Sequence, residues 1–355
     1  MAGIRQHFFP RFLQKGFASK ETRKETYTWV YAVDRKPFET NIKNIGLGKY
    51  FYGSSEESIV DDLITERETG FADFVNELRR ETSDKNIDTG IPSELITHLI
   101  VRSQHTRESL SDGIKLFVDI FQENLSSTED FKKLVANVWV KNPELIDGPL
   151  RKEVVSNFPP NTPNQLIDKV VDYRKNNIIR YLDGKYEDGF LLFKQFFLRM
   201  RNEVLSIAKG AQIKALSKGV VPDKHLEKYK KMVWKLFVVP EGNFISGDIG
   251  PIGIYDHENT FQPFLFSKGE IVQVMLPISG SHILVGGHER PVLMYDNNRI
   301  NYEIASVSKY FFISSCNNQF ILMLKRLIGS RSLNISDDEF YKVKNQFKED
   351  LFGEV

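Results

Sequence analysis

Two stretches of β-forming sequence frame a long helical middle, and this order limits the folds open to the chain. Tyr27 to Val33 is β-branched and aromatic, and Asp34-Arg35-Lys36-Pro37 after it reads as a turn. Shorter strands are expected at Ile42 to Ile45 and Lys49 to Tyr52. β character returns at Trp234 to Val239, Ile271 to Leu276 and His282 to Val285, separated by Gly, Pro and Asn turns. Between the two blocks, apolar residues recur at helical spacing. The expected class is α+β: a small mixed sheet built from N-terminal and C-terminal strands, with a large helical segment packed beside it. The boundaries are an N-terminal β unit at 1–53, a helical segment at 54–231, and a C-terminal β unit with helices at 232–355. These are read as one domain over 1–355, with a separate helical domain as the rival.

The helical expectations are specific. Residues 8 to 16 suggest a short helix with Pro10 at a tolerated early position. Ser54 or Ser55 is placed to cap a helix running to about Arg80, with Val60, Leu63, Phe71, Phe74 and Leu78 on one stripe. A second helix is expected from about Pro92 to Phe121, and others at Phe131 to Val140 and Gln165 to Tyr181. The repeat Phe190, Phe193, Phe197, Met200, Val204, Ile207 predicts one long helix over roughly 188 to 217. Helices return at Ile304 to Phe311, Gln319 to Ile328 and Ser336 to Asp350.

Charge and composition narrow the function classes. A net charge of +1 supplies no bulk field to recruit nucleic acid or membrane. The single cysteine, Cys316, excludes an intrachain disulfide and a Cys-rich zinc cluster, and fits a reducing cytoplasm. The most apolar stretch, Phe190 to Met200, is interrupted by Lys194, Gln195 and Arg199, so no membrane span is expected. Arg5, Gln6 and His7 precede no long apolar run, which argues against a secretory signal. Charge is nevertheless uneven. Ser54 to Asp84 holds ten Asp/Glu against three Arg, and Phe190 to Lys235 holds eleven Lys/Arg against three Asp/Glu. These stretches either form solvated faces or pair with each other; alternatively the basic one holds phosphate, with Tyr229 and Trp234 as stacking surfaces.

The easily recognised catalytic signatures are missing: no G-x-x-x-x-G-K-[ST], no H-E-x-x-H and no G-x-S-x-G. His257-Glu258-Asn259 is a lone fragment without the second histidine that a metal-finger nuclease needs. Scattered motifs, His7-Phe8-Phe9-Pro10 at the start, Asp61 and Glu68, Gln104-His105-Thr106-Arg107, and Ser246-Gly247-Asp248-Ile249-Gly250-Pro251, instead resemble a bacterial family known as domain of unknown function 4238. Its opening His-Tyr-Val-Pro-x-x-x-Leu-x-x-Phe is similar to His7-Phe8-Phe9-Pro10-Arg11-Phe12-Leu13 with Phe17 close by. Its pair of helical acids resembles Asp61 and Glu68, and its Gln-x-x-Arg resembles Gln104-His105-Thr106-Arg107. Its Ser-Asp-x-Pro is similar to Ser246-Gly247-Asp248-Ile249-Gly250-Pro251, with a glycine before the acid and one extra residue before proline. Met275-Leu276-Pro277-Ile278-Ser279, and Asn301 with Ala305, match later pieces in part. The resemblance implies a unit whose ends meet, and it implies no reaction.

Chemistry proposes roles for these residues. His7 has an unperturbed pKa near neutrality and suits a general base, or else an anchor for the N-terminal segment. Asp61 and Glu68 share a helix face but lie about 10.5 Å apart along the axis, far for one metal ion. Arg102, Gln104 and Arg107 lie on a helix otherwise apolar at Leu95, Ile96, Leu99 and Ile100. An arginine there needs a carboxylate, with Glu68 and Asp248 the natural partners, or a bound phosphate. Asp248 sits in a Gly-rich turn, where catalytic acids and ordinary Asx-turns both occur. Three functions follow. The first is a phosphodiester- or nucleotide-directed hydrolase of nuclease type: Asp248 with Glu68 or Asp61 holds Mg2+ or Mn2+, His7 is the base, and Arg102, Gln104 and Arg107 bind phosphate. The second is a non-catalytic binding or effector module in which the same residues form a buried ionic network. The third is a nucleic-acid-binding subunit using residues 190 to 235.

Overall fold

The structure, a computed structural model, describes residues 5–53, 59–142, 144–177, 185–217, 223–255, 261–262, 271–289, 291, 293, 295–332 and 337–352. Ser54, Ser55 and the His257-Glu258-Asn259 fragment lie outside the described residues. The chain divides into two compact units, residues 1–110 with 206–336 and residues 111–205 with 337–355.

The first unit contains every described strand, and all described strand pairs are antiparallel. Strand β3 (Thr26–Ala32) pairs with β2 (Lys20–Glu21), β4 (Phe38–Asn41) and, from far along the chain, β13 (Phe311–Ser314), which also pairs with β8 (Ser246–Gly247). N-terminal and C-terminal strands therefore do share a sheet. A second sheet runs in the order β10 (Phe261–Gln262), β9 (Ile252–Tyr255), β11 (Ile271–Pro277), β12 (His282–Gly287), β7 (Val233–Val238), β6 (Lys85–Ile87). A third pairs β1 (Arg5–His7) with β5 (Leu47–Lys49). The α+β class holds, and the one mixed sheet of the sequence reading resolves, among the described residues, into three antiparallel ones. The reason lies in β7, β11 and β12: each is apolar almost throughout, so they pair with one another as the core of their own sheet.

Several helices break where periodicity suggested continuity. Residues 90–124 form α3 (Gly90–Arg102) and α4 (Gln104–Asn124), separated by Ser103 in an extended conformation. The Ser103 hydroxyl accepts the Thr106 N–H at 3.1 Å and so caps α4. The long helix expected over 188 to 217 is two, Tyr186–Asn202 and Val204–Ser217, because Glu203 leaves helical geometry at φ −105° and ψ 10°. Ile42 to Ile45, expected as strand, is a 3-10 turn, since Asn41 Oδ1 accepts the Lys43 N–H at 2.9 Å. The helix expected at Ile304 to Phe311 runs instead over Asn297–Val307 and gives way to β13. Helix α2 (Ile59–Leu78) buries Val60, Phe71 and Leu78 of the expected stripe, with Ile64 and Val75 beside them.

The opening segment is pinned to the rest of the unit. Pro10 starts the short helix α1 (Arg11–Gln14), and a 3-10 turn over Lys15–Phe17 follows. Such an end leaves carbonyls without intrahelical partners. Arg79 supplies them: its guanidinium donates to the carbonyls of Phe12 (3.0 Å), Leu13 (3.0 Å) and Ile278 (2.6 and 2.8 Å). The Gly280 N–H donates to the Gly16 carbonyl at 3.2 Å. A Cβ on Gly16 would lie 2.0 Å from the Ile278 oxygen and 2.5 Å from Arg79 Nη2. Gly16→Ala is therefore expected to lower unfolding free energy by about 1–3 kcal/mol, read by urea denaturation; an unchanged midpoint would show that this contact is dispensable.

The second unit is helical among its described residues. Helices Thr128–Lys141 and Tyr186–Asn202 pack Leu134 and Phe197 with Val118, Phe121 and Leu125. Helices Glu144–Ser156 and Asn164–Asn176 bury Leu150, Val154, Ile167 and Val171. No described helix is long and apolar enough to cross a membrane.

Candidate functional site: a buried clasp

Arg102 is the last residue of α3 and is only 2% exposed. A guanidinium so buried must meet a counter-charge and have its donors satisfied. Glu68, on α2, forms an ion pair with Nη1. His98, one turn earlier on α3, places Nε2 3.2 Å from the same nitrogen and 3.6 Å from the Glu68 carboxylate. Nε donates to the Tyr52 hydroxyl at 3.2 Å, and Nη2 donates to the His7 carbonyl. The Tyr52 hydroxyl in turn donates to the Arg102 carbonyl at 3.2 Å, which Ser103 frees by ending α3. Burial pushes the Tyr52 phenol up, against the pull of Arg102. One arginine thus ties β1, the turn at Tyr52, α2 and α3 together.

His7 joins this clasp through its backbone. Its half-buried ring has a pKa lowered to about 4, first by burial and then by Arg11 and Arg102, against a hydrogen bond with the Lys43 backbone. At neutral pH the imidazole is uncharged and a weak proton acceptor, far from the value that suits a general base.

Asp248 follows β8, in a turn shaped by its two glycines. A Cβ on Gly247 would lie 2.3 Å from Ser308 Oγ, and Gly250 has φ +81° with its N–H donating to the Gly247 carbonyl at 3.0 Å. These glycines account for the extra residues in the Ser-Gly-Asp-Ile-Gly-Pro segment. The carboxylate accepts three backbone N–H groups, from Lys309 (2.9 Å), Tyr310 (2.6 Å) and Phe311 (3.3 Å). Its own N–H donates to the Phe311 carbonyl at 3.1 Å. Burial pushes its pKa up to about 6, with Glu108 adding to the rise and the three N–H groups opposing it. Beside it lies a cavity of about 10 Å³, lined by Phe8, Gln104, His105, Asp248, Lys309 and Tyr310. That is room for about one water molecule.

Gln104 and Arg107, on the first turns of α4, are engaged elsewhere. Gln104 Nε2 donates to Glu108 at 2.7 Å, and Glu108 also takes the Tyr310 hydroxyl (2.8 Å) and the Lys309 ammonium (2.7 Å). Arg107 donates to Gln212 Oε1 (2.8 Å) and the Phe51 carbonyl (2.7 Å), with its guanidinium 3.5 Å from the Phe51 ring centre. Burial lowers its pKa to about 10. Gln212 fastens this group to the end of α3 through the Val101 and Ser103 carbonyls, at 2.8 and 3.0 Å. Asp61 is half-buried, and its backbone carbonyl accepts the Thr65 hydroxyl at 2.8 Å.

The sequence-derived residues therefore fall into separate groups: Glu68 with Arg102 and the His7 carbonyl, Gln104 with Glu108, Arg107 with Phe51 and Gln212, and Asp248 with backbone amides. Asp61, Glu68 and Asp248 do not assemble a metal centre; among the described residues no three His, Cys, Asp or Glu side chains are grouped to hold a metal ion. Tyr229 and Trp234, expected as stacking surfaces, are buried. The basic and acidic stretches meet at Lys235 and Asp84, 3.0 Å apart. Sequence reasoning missed Tyr52, His98 and Glu108. Two had a signal, since His98 precedes Arg102 and Glu108 follows Gln104 by one helical turn.

The fold and clasp define an α+β protein whose opening segment is held by charges from distant helices. The family model "Protein of unknown function (DUF4238)" matches residues 5–315, and the chain belongs to that family. Comparison with curated proteins and with solved structures yields no match.

Proposed function

We propose that this protein is a non-catalytic binding module, in which Glu68 and Arg102 hold the N-terminal segment through the His7 carbonyl, Asp248 fastens the turn after β8 to the backbone at 309–311, and none of these residues performs chemistry. The observation that carries this reading is the state of Asp248. Both its oxygens face backbone N–H groups, beside a cavity with room for about one water. A hydrolase would need that carboxylate open to a cation and a scissile phosphate. His7 as a neutral, weakly basic ring gives the same direction. The half-buried single cysteine agrees with a cytoplasmic setting.

Incubation with bis(4-nitrophenyl) phosphate and Mg2+ or Mn2+ tests the proposal. The expected result is no release of nitrophenolate above a protein-free control. Metal-dependent turnover that disappears in Asp248→Asn, with the fold retained, would restore the hydrolase reading.

A further inference from the structure

A concave groove of about 540 Å³ opens in the first unit between α1 with its 3-10 extension, the β2–β3 turn, the 41–43 turn and α2. Its size falls in the range of small-molecule sites. Among the described residues five cations line it, Arg11, Lys15, Arg23, Lys24 and Lys43, all exposed, against two carboxylates, Glu25 and Glu68. Glu68 is already matched by Arg102, while Glu25 accepts the Tyr27 hydroxyl and keeps its negative charge, so the cations remain in excess. None of the five cations forms an ion pair among the described residues. Cations gathered in excess over carboxylates along one concave surface raise a positive potential there. Of these cations Arg11 also lowers the pKa of the half-buried His7 ring, after burial and together with Arg102 and Arg5 outside the groove. Thr22, Thr65 and Thr69 also line it, but their hydroxyls donate to the backbone carbonyls of Glu25, Asp61 and Thr65, and Asn41 Oδ1 accepts the Lys43 N–H, so the cations carry recognition. Among the described lining residues the one aromatic, Phe12, is buried, so none of them offers a ring for a base to stack on.

We infer that this groove binds a small ligand carrying two or more phosphate groups, recognised through the phosphates and not through a base. The inference rests on the binding-module reading and names its ligand class. Isothermal titration calorimetry with inorganic tripolyphosphate, at low salt and without metal, is the direct test, with ATP and a twelve-residue oligothymidylate as further titrants. Tripolyphosphate is expected to bind one to one. Arg23→Glu and Lys43→Glu should each weaken it by about tenfold or more, while Lys36→Glu, outside the groove, should change it by less than about twofold. ATP binding as well as tripolyphosphate would identify nucleotides as an admissible source, and ATP failing while tripolyphosphate binds would restrict the ligand to free polyphosphate. The inference is overturned if folded protein binds no tripolyphosphate, if Lys36→Glu weakens binding as much as Lys43→Glu, or if only the oligothymidylate binds. Failure here is distinguishable from failure of the module reading. Hydrolysis of bound tripolyphosphate on adding Mg2+ would end that reading and leave the groove, whereas an inert protein that binds nothing would do the reverse.

Discussion

Arg102→Met is expected to lower unfolding free energy by about 3–5 kcal/mol, among the largest single-residue effects in the first unit. The substitution keeps much of the side-chain volume and removes every donor. Glu68 then keeps its charge beside an apolar chain, and the His7 carbonyl and Tyr52 hydroxyl lose their donors. Arg102→Lys should recover only a small part, because one ammonium cannot replace the planar fork that reaches several acceptors at once. The double substitution Arg102→Met with Glu68→Gln should be distinctly more stable than Arg102→Met alone, since it discharges the stranded carboxylate. Urea denaturation of the three variants checks this. A loss below about 1 kcal/mol in Arg102→Met would mean that the pair behaves as an ordinary surface salt bridge.

Asp248→Asn should cost about 2–4 kcal/mol at pH 7, because the amide keeps one acceptor oxygen and turns an NH2 group toward backbone N–H donors in a buried turn. The pH dependence carries a definite sign. The folded-state pKa of Asp248, about 6, lies above the ordinary aspartate value of 3.8. Between these values the native state keeps a proton that the unfolded chain releases. The stability contributed by this carboxyl is therefore full in acid, falls as pH rises through about 6, and is flat beyond. His7 acts oppositely: with its pKa lowered to about 4 from 6.5, its contribution is lost as pH falls toward 4. The two partly cancel in the wild-type protein. Asp248→Asn should thus unmask a stability that rises with pH between about 4 and 6 relative to wild type, measured as denaturation midpoints across that window. A difference between variant and wild type that does not change with pH would remove Asp248 as a titrating group.

How much of this was legible depends on the kind of partner involved. The cost of a lone charge on an apolar helix called for a partner and offered Glu68, Asp248 or a phosphate; the structure selects Glu68 for Arg102, so this pairing was readable in part from the side chains. The partners of Asp248 are backbone N–H groups at 309–311, which every non-proline residue carries and no residue type announces. The expected helix at Ile304 to Phe311 concealed them further, since those amides would then have been spent inside a helix. Ser103 is similar: it falls within an unbroken run of helical periodicity, and its capping role shows only once its hydroxyl is seen on Thr106. The groove cations lie on three segments of the opening region, and their convergence depends on turns at residues 22–26 and 41–43 that composition alone did not place. The three-sheet arrangement was partly hidden because β6, a short and polar strand, carries no strong β signal.

Arg102 fastens the opening segment to the core, and hydrogen exchange of Arg102→Met under native conditions tests this most directly. The amides of Phe8 and Phe9, which donate to the Gly46 carbonyl at 2.8 and 3.1 Å, should lose protection together with those of β1, while β11 and β12 stay protected. Equal protection of Phe8 and Phe9 in variant and wild type would contradict the account.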